Sequence, residues 1–196
     1  MTKVTQTSGG LLHPVLTQHP VPNATELDPG ALPGLVADLS PAYFAMVMAT
    51  GIVSLSGHML GIMSLSVVLL WLNVAAYGTI WVLTLLRIRW FTRRVLSDLM
   101  DHQRGPGFFT AVAASCILGS QFLLIAGNYR VAVLLWVAGI GLWALIYTIL
   151  TAFTIKEDKP ALYEGITGAW LLAVVATQSV AGLSALIAVH WSQPYA

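Results

Sequence analysis

Charged residues are scarce in this chain: they make up 9% of it, against about 25% in ordinary soluble domains. None lies between Asp38 and Arg87, and three more charge-free segments follow, at 105–129, 131–155 and 165–196. A helix needs about 20 apolar residues to cross the hydrocarbon core of a bilayer. The first segment is long enough for two crossings and each of the others for one. The scarcity of charge therefore excludes a soluble fold and predicts an all-α integral membrane protein with five transmembrane helices.

Other absences narrow the range of functions. The single cysteine, Cys116, excludes an intramolecular disulfide. The sequence contains no glycine-rich phosphate-binding motif, which argues against direct coupling to ATP, and no cluster of residues with metal-ligand spacing. We therefore expect no cofactor, no bound metal, no catalytic residues and no nucleic-acid partner, so that the protein is not an enzyme.

The chain divides into a polar tail and a membrane domain. Residues 1–38 contain several prolines and no long apolar run, which excludes a cleaved signal peptide and predicts a flexible tail. The transmembrane domain is predicted over residues 39–196. Its helices are expected at about 42–62, 66–86, 108–127, 131–153 and 166–190.

The orientation of the helices follows from lysine and arginine, which accumulate in the cytoplasmic loops of membrane proteins. Eight of the nine lie in the tail, between helices two and three, or between helices four and five. Arg130 alone lies on the other side, in the turn between helices three and four. We expect a multi-pass protein of the plasma (cell inner) membrane whose N-terminus is cytoplasmic.

Small and hydroxyl residues recur on helices one, three and five, whereas helices two and four are rich in Leu, Val, Ile and Trp. Steps of three and four residues place each set on one helical face. Inner helices with small residues therefore alternate with outer, lipid-facing helices, as a series of inner–outer hairpins. The candidate pore-lining residues are Thr50, Ser54, Gly57, Ser115, Gly119, Phe122, Ala173, Thr177, Ala181 and Ser184.

Two interpretations of these small-residue faces stay open. Small residues let membrane helices pack closely without any role in transport. Alternatively, the faces line a pore, and their presence on three alternate helices favours this, since one packing interface does not require all three. Gln121 and Gln178 are the most polar side chains well inside the spans. We expect each of them to bridge helices by hydrogen bonding rather than to bind substrate.

The small-residue faces contain no Asp, Glu, Lys or Arg. Proton relays and cation sites usually place an ionisable residue inside the membrane, so a carboxylate-driven pump is disfavoured. Hydroxyl donors and helix N-termini can stabilise an anion without a fixed counter-ion. The composition of these faces therefore predicts a central neutral path for small anions across the lipid bilayer.

Three segments of the chain resemble those of one known family. The sequence PAYFAMVMATGIVS at 41–54 resembles its first helix, DLMDHQRGPGFFT at 98–110 its entry into the third helix, and GAWLLAVVATQS at 168–179 its fifth helix. This is the tellurite-resistance/dicarboxylate transporter family, of the voltage-dependent anion channel/malate permease superfamily. It includes plant slow anion channels, fungal malate permeases and sulfite efflux pumps. The resemblance extends from about Leu39 to the end of the chain.

The resemblance implies ten helices in five inner–outer hairpins around a central pore, often in a trimer. It also implies transport of small anions, such as malate and other C4-dicarboxylates, sulfite, tellurite-related or inorganic anions. Five helices correspond to the N-terminal half of that bundle. The phenylalanine that occludes the family's pore belongs to the ninth helix, so neither Phe44 nor Phe122 inherits its role. We expect a fragment of a longer product, or a half completed by a second polypeptide or copy.

Two alternatives to transport are kept. The pair Asp98 and Asp101 resembles the metal–diphosphate carboxylates of intramembrane prenyltransferases, although a second acidic pair is missing. A membrane-embedded enzyme of that kind is the less favoured alternative. The other is a non-transporting membrane subunit, or a truncated fragment that needs a partner.

Overall fold

A computed structural model describes residues 39–101, 104–154 and 168–192 of the chain and contains five helices that are long and apolar enough to cross a membrane. We number them α1 (Phe44–Met59), α2 (Met63–Met100), α3 (Phe109–Leu124), α4 (Tyr129–Thr154) and α5 (Leu171–Ser192). Short 3-10 helices at Pro41–Tyr43, Gly105–Phe108 and Gly168–Trp170 lead into α1, α3 and α5. The predicted all-α membrane fold with five spans is confirmed. The predicted tail lies outside the described residues.

The N-terminal ends of α1 and α3 are linked by a hydrogen bond. Each follows a 3-10 turn with a proline in its first two positions, where the fixed φ of proline suits a helix start and its missing N–H costs nothing. The hydroxyl of Thr110 lies 2.9 Å from the carbonyl oxygen of Pro41 and 2.7 Å from that of Gly107. The two helices therefore begin at one level.

The helix α2 extends to Met100, well past the predicted end near residue 86. Leucine, isoleucine and arginine after residue 86 are compatible with a helix, and the first helix-terminating pair is Gly105–Pro106. The backbone bends at Phe91, whose φ of −130° and ψ of 39° are not helical. The arginines predicted in a loop before residue 100 therefore lie on the last turns of α2.

The centre of the bundle is α3. It packs against α1, α4 and α5, whereas α2 pairs mainly with α1. All but a few of its residues from Phe109 to Gln121 are buried. The pairs α1–α2 and α3–α4 are two inner–outer hairpins, and α5 is a fifth helix placed beside α3 and α4. Exposure is high on α2 and α4, as predicted for outer helices, and α5 also keeps a wide exposed face.

Candidate functional site

The interior of the bundle is polar but neutral. Along the described spans the charged residues lie at helix ends or on the last turns of α2, from Arg87 onward. The buried polar side chains inside the spans are Ser54, Ser66, Asn73, Thr110, Ser115, Ser120 and Gln121. Buried polar groups in an apolar medium need hydrogen-bond partners, so their contacts decide how these helices are held.

A fully buried polar contact joins α2 to α3. The Asn73 side-chain nitrogen donates to Oε1 of Gln121 across 2.6 Å, and both side chains are fully buried. Gly51 of α1 lies against this pair, because a Cβ atom there would be 3.0 Å from Nδ2 of Asn73 and would collide with Ile117. Oδ1 of Asn73 and Nε2 of Gln121 have no hydrogen-bond partner among the described residues. Gln121 thus bridges α2 and α3, and α1, α2 and α3 meet at this contact.

Ser54 and Gly57 face α2. The Ser54 hydroxyl donates to the carbonyl oxygen of Ser66 across 2.8 Å, and the Ser66 hydroxyl donates to the carbonyl oxygen of Ile62. A Cβ atom at Gly57 would lie 3.1 Å from the Ser66 hydroxyl oxygen. Ser54 and Gly57 therefore serve the close packing of α1 against the start of α2.

Ser115 and Gly119 are both buried on α3, one helical turn apart. The Ser115 hydroxyl donates to the carbonyl oxygen of Ala111, and the Tyr77 hydroxyl of α2 lies 2.7 Å from it. Because a serine has one hydroxyl proton, Tyr77 is the donor of that second bond. A Cβ atom at Gly119 would lie 2.7 Å from Leu183 of α5. Both positions serve the close packing of α3 against its neighbours.

Two tryptophans of α4 bind hydroxyls of α5. The indole N–H of Trp143 donates to Thr177 across 3.0 Å, and that of Trp136 donates to Ser184 across 2.7 Å. Each hydroxyl in turn donates to a carbonyl one turn earlier, at Ala173 and Val180 respectively. Ser184 is half-buried by this contact, whereas Thr177 stays exposed.

The remaining candidates keep more accessible positions. Thr50 is half-buried on α1 and its hydroxyl donates to the carbonyl oxygen of Met46. On α5, Ala173 is half-buried, and Ala181 is exposed beside Thr177. Phe122 is half-buried near the end of α3. Gln178, which was expected to bridge helices, lies on the exposed face of α5.

The sequence did not predict four of the hydrogen-bond donors in these contacts: Asn73, Tyr77, Trp136 and Trp143. Asn73 carried a signal, since it is an amide in the middle of an otherwise apolar span, where a polar side chain is costly without a partner. The others carried none, because tryptophan and tyrosine also fit a lipid-facing helix.

The acidic pair near the end of α2 is engaged with arginines. One oxygen of Asp98 pairs with Arg87, whose side chain is 5% exposed, and the other lies 3.2 Å from Arg104. Oδ1 of Asp101 lies 3.4 Å from the backbone nitrogen of Arg104. Both oxygens of Asp98 already bind guanidinium groups, so this geometry gives no support to a magnesium–diphosphate site.

The described residues thus form a multi-pass helical membrane protein with hydroxyl, amide and indole donors between its helices. Its interior is uncharged apart from the Arg87–Asp98 pair in the second half of α2. Within the described ranges, no group of three or more His, Cys, Asp or Glu side chains could hold a metal ion.

Comparison with known proteins gives the family. The chain matches the family described as voltage-dependent anion channel over residues 38–196, well over half of its length. The chain therefore belongs to the voltage-dependent anion channel family, as the resemblance of its first, third and fifth helices indicated. No curated protein and no solved structure matches it. Anion transport is the general activity of this family, whose members are channels and transporters rather than enzymes.

Proposed function

We propose that this chain forms part of a pore through which small anions cross the membrane. The observation that carries the proposal is the family match over residues 38–196. The physical support is the neutral interior: a small anion can be stabilised by hydroxyl and amide donors without a fixed counter-ion, whereas a cation or proton path usually needs an acidic residue.

The exposed faces of α1 and α5 are the proposed walls of the path. They lie on either side of α3, which is itself buried. Thr177 and Ala181 are exposed on α5, and Thr50 is half-buried on α1. Ser54, Gly57, Ser115 and Gly119 support these walls by packing. Helices from a second half, or from another copy of the chain, would close the path on the open side.

The finer parts of the proposal concern the solute, the membrane and the assembly. We propose four substrate classes: C4-dicarboxylates such as malate, sulfite, tellurite-related anions and inorganic anions. We propose a trimer as the assembly.

We also propose the plasma membrane as the location, with the N-terminus in the cytoplasm. A cysteine placed at Asn128 should then react with a membrane-impermeant maleimide added from outside the cells. Labelling only after the cells are opened would show that the orientation is the opposite one.

Flux through the natural protein in proteoliposomes tests the pore. The hydroxyls of Thr50 and Thr177 donate to the carbonyl oxygens of Met46 and Ala173, so each has to turn away from that carbonyl to donate to a passing anion. Thr50→Leu and Thr177→Leu should each reduce anion flux about two- to tenfold, the equivalent of one lost hydrogen bond of about 0.5–1.5 kcal/mol to the solute. A panel of chloride, nitrate, malate and sulfite would identify the substrate.

Two control variants separate transport from folding. Trp143→Phe removes the indole N–H that binds Thr177 but leaves the Thr177 hydroxyl on the exposed face, so its flux should stay close to that of the natural protein. Thr148→Leu makes the same change on the exposed surface of α4. Unchanged flux in both pore variants would remove these residues from the path. Absence of flux for every anion would favour the non-transporting subunit.

A further inference from the structure

An apolar cavity of about 180 Å³ lies between α2 and α4, at the end of the bundle that carries the arginines. Its walls include Trp81, Ile88 and Leu99 from α2 and Leu142 and Ile149 from α4, and the turns before α1 and α3 close its end. An apolar protein cavity of about 150 Å³ stays free of water and accepts benzene. The occupant of the present cavity is therefore expected to be a hydrocarbon group.

The cavity is accessible from the lipid. Ile88 and Leu145, which line the cavity, are 39% and 57% exposed, and they lie on two helices that are each apolar enough to cross a membrane. Arg87 also contributes to the wall, but its guanidinium is buried and paired with Asp98. That pairing neutralises the charge in the wall, so a hydrocarbon chain can lie against it.

Three exposed arginines lie on the stretch of α2 that also lines the cavity. Val95 and Leu99 turn inward to the cavity wall after the bend at Phe91. Arg89 and Arg93, on either side of that bend, are exposed. Arg94, also exposed, is placed over the Phe91 ring, 5.5 Å from its centre. One segment of α2 thus contributes to an apolar wall and carries a group of exposed cations.

We propose that this cavity is a binding site for an anionic phospholipid. One acyl chain occupies the space between α2 and α4, and the headgroup phosphate binds Arg89 and Arg93. Arginines at one end of the helices are expected in any membrane protein, since they set its orientation. Orientation does not, however, require an apolar cavity on the same stretch of helix. A cavity and arginines together favour a ligand that has both a hydrocarbon chain and a negative charge. The proposal is independent of the proposed transport activity.

Native mass spectrometry of the detergent-extracted protein tests the proposal. The probes are dioleoyl phosphatidylglycerol, which is anionic, and dioleoyl phosphatidylcholine, which has the same chains and no net charge. The natural protein should retain the anionic lipid more strongly. Arg89→Gln and Arg93→Gln should each weaken its retention about fivefold, the effect of one arginine near an anionic headgroup. Arg130→Gln, at the opposite end of the helices, should leave it unchanged.

A second pair of variants tests the acyl-chain part of the site. Thr84→Phe fills space at the cavity wall and should reduce retention of both lipids, whereas Leu134→Phe, on the exposed face of α4 outside the cavity, should not. Equal retention of the two lipids, or the same loss in Arg130→Gln as in Arg93→Gln, would overturn the headgroup contact. Equal retention by Thr84→Phe and Leu134→Phe would overturn the cavity as its acyl site. If Thr84→Phe does not fold, the exposed arginine variants decide the proposal alone.

Discussion

Replacing Gly139 by alanine should destabilise the bundle, whereas the same replacement at Gly141 should not. Both residues lie in α4, two positions apart. A Cβ atom at Gly139 would lie 2.8 Å from Sγ of Cys116 on α3, and one at Gly141 meets nothing within 4 Å. Cys116 is fully buried and its side chain is short, so the sulfur cannot move away without shifting the helix.

The magnitude follows from comparing the two variants. Alanine is favoured over glycine inside a helix by about 0.5–1 kcal/mol, and this gain is common to both positions. Overpacking a well-packed interior costs about 1–3 kcal/mol. The free energy of unfolding of Gly139→Ala should therefore lie about 1–3 kcal/mol below that of Gly141→Ala.

Equilibrium unfolding in mixed detergent micelles, followed by tryptophan fluorescence, measures this difference. Adding Cys116→Ala removes the colliding sulfur, so Cys116→Ala should cost less in the Gly139→Ala protein than in the natural one. Contacting residues typically show such coupling at about 0.5–3 kcal/mol. Equal stability of the two glycine variants, or no coupling to Cys116, would refute the close approach of α3 and α4.

Two further predictions concern buried polar contacts and use the same unfolding assay. Gln121→Leu should destabilise the bundle by about 1–3 kcal/mol, because it leaves the buried Asn73 amide without its partner; the double variant Asn73→Leu with Gln121→Leu should cost less than the sum of the two, and strict additivity would contradict the bond. Arg87→Ala should cost about 3–5 kcal/mol, since it leaves Asp98 with only its exposed partner. Arg104→Ala, with a side chain 63% exposed, should lower the free energy of unfolding by less than about 1 kcal/mol. Equal losses of stability in the two arginine variants would show that the burial of Arg87 does not strengthen its pairing with Asp98.

The candidate pore-lining residues fall into two groups, those buried between helices and those exposed on the proposed walls of the path. Ser54, Ser115 and Gly119 contact neighbouring helices, so substitutions there should affect folding first. Thr177 also contacts a neighbouring helix, through the indole N–H of Trp143, but as a residue it stays exposed and is the better probe of transport. An assay that reports both stability and flux can separate these groups.

The charge-free segments were sufficient to predict five spans, because a bilayer excludes charge over about 20 residues wherever a helix crosses it. The same reasoning placed the end of the second helix too early. Exclusion of charge marks where the membrane ends, whereas a helix ends where backbone hydrogen bonds stop. In α2 the helix continues through Arg87, Arg93 and Arg94 to Met100.

Sequence alone thus determined the fold class, the number of spans and the neutral character of the interior, since each depends only on which residue types occur over a stretch of chain. Periodicity also placed Ser54, Gly57 and Thr50 near one face of α1, but only the tertiary structure decided that Ser54 binds the backbone of α2 and that Thr50 does not. It also decided that Gln121 meets Asn73 and that Gly139 meets Cys116. The period of a helix defines a face; the partner of that face depends on how helices distant in sequence pack together.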